Sequence, residues 1–113
     1  MVISTRIICL PSVWEEMLER YTKLKNELGL DFKKECCPDI YWKDNRLVIF
    51  EESFSAPTTI EDLNKCFITF CETIENPQLE MNDNSFEGSI YSSIPEMLCG
   101  NSKAFINFYG EVE

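Results

Sequence analysis

The stretch from Asp39 to Glu52, DIYWKDNRLVIFEE, restricts the fold more than any other part of the chain. Ile40 to Lys43 and Arg46 to Phe50 are rich in aromatic and β-branched residues, and the Asp44-Asn45 pair between them can adopt the positive φ angles of a tight turn. The stretch therefore reads as a β-hairpin. Such a turn sets Lys43 opposite Arg46, Trp42 opposite Leu47, Tyr41 opposite Val48 and Ile40 opposite Ile49. Ile40, Trp42, Leu47 and Ile49 are then expected on the core side, with Tyr41, Val48 and Phe50 on the other.

A lone hairpin is not stable in water, so the flanking segments must cover its apolar side. Val2 to Leu10 reads as a strand with Ile3, Ile7 and Cys9 on one side and Arg6 on the other, ended by Pro11. Ser12-Val13-Trp14-Glu15 has the pattern of a capping box and opens a helix that runs to about Leu28. Trp14, Met17, Leu18, Tyr21, Leu24 and Leu28 keep helical spacing, Glu16–Arg20 and Glu19–Lys23 pair on the opposite face, and Gly29 is placed as the stop. Leu30 and Phe32, in the connection to the hairpin, are expected to tuck back onto this helix.

Thr58-Thr59-Ile60-Glu61 offers a second capping box ahead of Ile60, Leu63, Phe67, Phe70, Cys71 and Ile74, with Asn76-Pro77 as the stop. Residues 78 to 85 read as loop, Phe86 to Tyr91 as a strand broken by Gly88, and Ile94 to Gly100 as a short helical turn or loop. Lys103 to Tyr109 alternates Ala104, Ile106 and Phe108 against Phe105, Asn107 and Tyr109, a strand pattern.

The order strand, helix, hairpin, helix, strand, strand implies an α+β fold: a two-layer sandwich with a ferredoxin-like split β-α-β arrangement, an antiparallel sheet and two helices on one face. At 113 residues and 44% hydrophobic content, residues 1–113 suit a single globular domain. No stretch is long and apolar enough for a membrane span, and the start lacks a cleavable signal pattern, so a cytoplasmic location is expected. The six cysteines are expected to be reduced and mostly buried.

Residues 1–50 hold eight acids and eight bases, whereas residues 51–113 hold twelve acids and only Lys65 and Lys103, so the second part carries the whole net charge of −10. That field repels nucleic acid and anionic membranes and attracts basic protein surfaces. The plain alternative is that negative charge only keeps a small protein soluble. The aromatic residues expected on the open sheet face could in principle stack bases, but without a basic track direct nucleic-acid binding is not expected.

The chain has no histidine, which removes Ser-His-Asp and Cys-His nucleophilic machinery and His-ligated zinc. Its cysteines lack paired C-x-x-C spacings, and its four glycines form no phosphate loop. No catalytic residue, metal or cofactor is assigned. Cys36 and Cys37, beside Lys33 and Lys34, are the one place where positive charge could favour a thiolate, so a redox role would have to lie there.

Charge placement points instead to an acidic protein-binding module that inhibits or neutralises a basic partner acting on nucleic acid, such as a toxin or nuclease. Its expected contact residues are the acids Glu51, Glu52, Glu61, Asp62, Glu72 and Glu75, with Phe54, Phe86 and Tyr91 as apolar anchors. The alternative is a small ligand-binding or regulatory ferredoxin-like domain that forms a homodimer through its sheet.

Overall fold

Strand β1, Val2–Cys9, alternates buried Ile3, Thr5, Ile7 and Cys9 with more exposed neighbours, so one of its faces is covered and the other open. The computed structural model that shows this describes residues 1–30, 40–43 and 47–113. Helix α1 spans Pro11–Glu27, β2 Ile40–Lys43, β3 Leu47–Ser55 and α2 Ile60–Cys71. They are followed by β4, Gln78–Met81, β5, Ser85–Ile90, a short α3, Ile94–Leu98, and β6, Ala104–Glu111. The strands form one sheet in the order β2-β3-β1-β6-β5-β4, with every neighbouring pair antiparallel.

Helix α1 begins one residue before the expected cap. Pro11 is its first residue, where a missing N–H costs nothing, and Leu10 takes the N-cap position without a side-chain hydrogen bond, so Ser12 does not cap. The other end follows expectation. Gly29 has φ of 82°, its N–H bonds Asn26 O at 3.0 Å, and the N–H of Leu30 reaches Lys25 O at 2.9 Å, the paired bonds of a Schellman stop. All six apolar residues expected on the inner face of α1 are buried.

The register of the β2–β3 pair differs from expectation by one residue: Lys43 lies opposite Leu47, Trp42 opposite Val48, Tyr41 opposite Ile49 and Ile40 opposite Phe50. The Asp44-Asn45 turn itself falls outside the described residues. The register is set by β1, because Cys9 and Ile7 sit across from Val48 and Phe50 and all four are buried. Val48 and Phe50 therefore face the helices rather than the open side, and Ile49 faces outward beside Ile8. Eight cross-strand pairs with β1 outweigh the preference of a turn that contains no glycine.

Helix α2 is capped by Thr59, whose hydroxyl accepts from the N–H of Asp62 at 3.1 Å, one residue later than the sequence pattern suggests. The helix ends at Cys71, well before Asn76-Pro77, in a turn where Thr73 has φ of 65°. Residues 78–81, expected as loop, form the edge strand β4. Gly88 does not break β5. An added Cβ there would lie 2.3 Å from the Phe67 ring, so the glycine lets α2 press directly onto the sheet. Gly110 makes the same allowance for Leu63.

One core joins both helices to the sheet. Phe50 meets Trp14 and Tyr21 of α1 at ring separations of 5.4 and 5.1 Å, while Phe67 of α2 meets Phe108 and Phe86 at 5.2 and 5.8 Å. The fold is α+β, but its strand order is longer than a four-stranded split β-α-β sheet, with β5 and β4 added outside β6.

Candidate functional site

Acids are distributed differently in the two parts of the molecule because the bases lie close to only some of them. On β3, Glu51 and Glu52 point to opposite faces. Glu51, on the open face, pairs with Arg6 across β1 at 3.1 Å. Glu52 points towards the helices and receives Lys25 Nζ at 2.9 Å, with 11% of its own side chain and 7% of that of Lys25 exposed. The Tyr21 hydroxyl donates to the other Glu52 oxygen and lies 3.3 Å from Thr5 Oγ1, while Lys25 Nζ sits 4.2 Å above the Phe54 ring. Glu52 and Phe54 thus belong to a buried polar network rather than to a docking surface.

Arg20 ties the helices together. Its guanidinium donates to the carbonyls of Phe70 and Glu72 at the end of α2 and to Thr73 Oγ1, and it pairs with Glu16 at 3.4 Å. The charge complements the partial negative charge of that helix end and binds carbonyls left without intrahelical partners. Glu16 also accepts from Lys103 at 3.1 Å; that hydrogen bond is the main reason its carboxyl is held below the ordinary 4.5, with Arg20 adding to it and slight burial opposing.

The expected acidic contact residues are not gathered into one patch. Glu61 and Asp62 lie at the start of α2, whereas Glu72 and Glu75 follow its end, roughly 17 Å away at the rise of an α-helix. Glu61 is exposed and pairs with Lys65 at 3.5 Å. Of the three expected aromatic anchors, Phe86 is fully buried in the core, Phe54 is partly buried, and only Tyr91 is open, 78% exposed with its ring 5.7 Å from Phe105.

The concentration the sequence reading missed is the β4–β5 hairpin. Glu80 and Glu87 sit directly opposite each other on the open face, beside Tyr109 of β6, and Asp83 lies in the turn. The turn is closed by Asn82, whose side-chain oxygen accepts from the N–H groups of Asn84 and Ser85 at 2.8 and 2.9 Å. On the helix side, a groove lined by Ile60, Glu61, Asn64, Met81 and Asp83 separates the hairpin from the start of α2. Asn64 Oδ1, buried there, has no hydrogen-bond partner among the described residues. All four residues of β4 are exposed, and β4 is the sheet's edge.

A sequence signal for this region existed. From Lys65 to Lys103 the chain has six acids and no base, and the two lysines that bracket this run pair with Glu61 and Glu16. Among the described residues, Glu80, Asp83 and Glu87 have no ion pair.

The thiols offer little chemistry. Cys9 and Cys71 are buried, which pushes each thiol up to about 12, and Cys66 is raised by burial and then by Glu27 and Asp62. Cys99 is exposed. Cys36 and Cys37, the candidate redox pair, lie outside the described residues. Comparison of the chain with protein-family models, curated proteins and solved structures gave no match.

Proposed function

We propose that the chain is an acidic protein-binding module that inhibits or neutralises a basic, nucleic-acid-acting partner, and that it docks through the β4–β5 hairpin. The observation that carries this reading is the set of uncompensated carboxylates around an exposed strand: Glu80 and Glu87 on one face and Asp83 at the tip, with no base in the intervening sequence. A cationic cleft that binds phosphates would accept closely spaced carboxylates in the same way, and their field would hasten the encounter. Leu79, Met81 and Tyr91 add exposed apolar surface nearby.

The test is capture at low salt with the full chain immobilised, followed by reconstitution with the purified partner. The expected partner is a basic protein released by moderate salt, whose nucleic-acid binding the chain blocks, and which the double variant Glu80→Lys/Glu87→Lys no longer holds. Retention of no basic protein would overturn the reading.

Within the sheet we read β1-α1-β2-β3-α2-β6 as a ferredoxin-like split β-α-β unit, with β4, β5 and α3 inserted before the last strand. The order β2-β3-β1-β6 of its four strands supports that. A second reading, a regulatory domain dimerising through its sheet, is favoured by the adjacent Ile49, Ile8 and Phe105 on the open face. Concentration-dependent light scattering separates the two, because only the second requires a dimer without a partner.

A further inference from the structure

The binding-module reading does not say how a partner would engage the hairpin, and the backbone of β4 supplies a specific answer. The N–H of Asn82 donates to Ser85 O at 3.0 Å, which makes these residues a bonded pair. Antiparallel pairing alternates, so Glu80/Glu87 and Gln78/Ser89 are the next bonded pairs, and the backbone N–H and C=O groups of Leu79 and Met81 turn away from β5. Because β4 is the last strand of the sheet, those groups face an open edge.

The two faces of that edge differ in chemistry. Gln78 and Glu80 share the open face with Glu87, while Leu79 and Met81 share the helix side with Phe86 and Gly88. We infer that β4 accepts one added β-strand from a basic protein, and that this strand alternates Lys or Arg with apolar residues. Its basic side chains meet Glu80 and Glu87; its apolar ones lie on Leu79 and Met81 and approach the groove before α2. Main-chain bonds to Leu79 and Met81 supply affinity, and the alternation supplies specificity. Charge selects this occupant over a second copy, since pairing β4 with itself would add a further Glu80 to a face that already opposes two carboxylates.

This inference rests on the acidic-module reading, and the experiment distinguishes their failures. The full chain is titrated with three peptides of one composition: one alternating valine and lysine, one with the lysines in a single block, and the alternating one N-methylated at every second residue. The alternating peptide is expected to bind, to shift the amide resonances of Leu79 and Met81, and to be released by salt. N-methylation, which leaves the protein untouched, is expected to abolish binding. Leu79→Pro deletes an outward N–H that β5 does not use, so the hairpin keeps its ladder while affinity falls about tenfold. Equal binding of the block and alternating peptides, with Leu79→Pro unaffected, would overturn strand addition and leave acidic docking standing. Failure of all three peptides and of every basic protein would remove both. Self-association that displaces the peptide would overturn the choice of a basic strand.

Discussion

The α1 side of the molecule and the β4–β5 hairpin both carry exposed carboxylates, Glu15, Glu19 and Glu27 among them on α1, but only the α1 side also uses carboxylates to tie its elements together. On the α1 side Glu16, Glu51 and Glu52 each have a base within 3.1 Å, from Lys103, Arg6 and Lys25 respectively. On the hairpin, Glu80 faces Glu87 across a strand pair and neither has a cation among the described residues. The difference is not one of supply alone. Lys103 follows the acidic stretch in sequence and leads into β6, yet its ammonium reaches α1 instead of the hairpin. Charge is used for internal cohesion in one region and presented outward in the other, where self-repulsion is tolerated because the strand is at the edge.

The largest effect that would break this contrast comes from the buried pair. Removing Lys25 takes the cation away from a carboxylate in a site almost closed to water. Lys25→Met is therefore expected to cost about 3–5 kcal/mol, measured by urea unfolding. The double variant Lys25→Met/Glu52→Leu should recover much of that loss, because two apolar side chains carry no desolvation cost. If Lys25→Met unfolded at the wild-type midpoint, Glu52 would be as weakly coupled as the surface acids and the two regions would not differ.

Much of this was legible in the chain, and the exceptions have physical reasons. The inner faces of α1 and β6 follow from periodicity alone, since Met17, Tyr21, Ile106 and Phe108 repeat at intervals that only one geometry buries. The hairpin register is not legible from the Asp44-Asn45 turn, because it is set by the long β1–β3 ladder, which pairs residues 39 to 53 positions apart. β4 is hard to see in the sequence because QLEM, although it alternates polar Gln78 and Glu80 with apolar Leu79 and Met81, is only four residues long and has no β-branched or aromatic residue; it is ordered by its bonds to β5. For the acids, counting charge places the net charge in residues 51–113 but does not show which carboxylates pair with a base. Glu52 and Glu51 are adjacent in sequence, and only the sheet's pleat sends one to Lys25 and the other to Arg6.

A smaller effect of opposite sign is expected on the hairpin. Glu80→Lys replaces a like-charge pair with an opposite-charge one on an exposed strand, so stability should rise by about 0.2–1 kcal/mol by the same unfolding measurement. Binding to a basic partner should weaken in the same variant. Gains in stability coupled to loss of affinity mark a residue retained for recognition; a loss of stability would show that Glu80 contributes to the fold and would remove the contrast with Glu52.

The smallest expected effect is on the pH dependence, through the exposed end of the paired region. The Lys103 ammonium holds the Glu16 carboxyl below its ordinary 4.5, so the folded state binds that proton less readily than the unfolded chain does. The contribution is therefore present in full above the ordinary value and is lost as pH falls through the lowered one. Glu16 is about two-fifths exposed, 41% by side chain, which limits the pair to the range of surface ion pairs, about 0.2–1 kcal/mol. Lys103→Met should accordingly lower the unfolding midpoint slightly at pH 7, and by less and less as the pH falls from the ordinary value through the lowered one. A difference that persists undiminished at the acid end would mean that Lys103 acts through the packing of its stem against α1. Its ammonium would then not be neutralising Glu16, and the reason the acidic hairpin is left without that lysine would have to be steric rather than electrostatic.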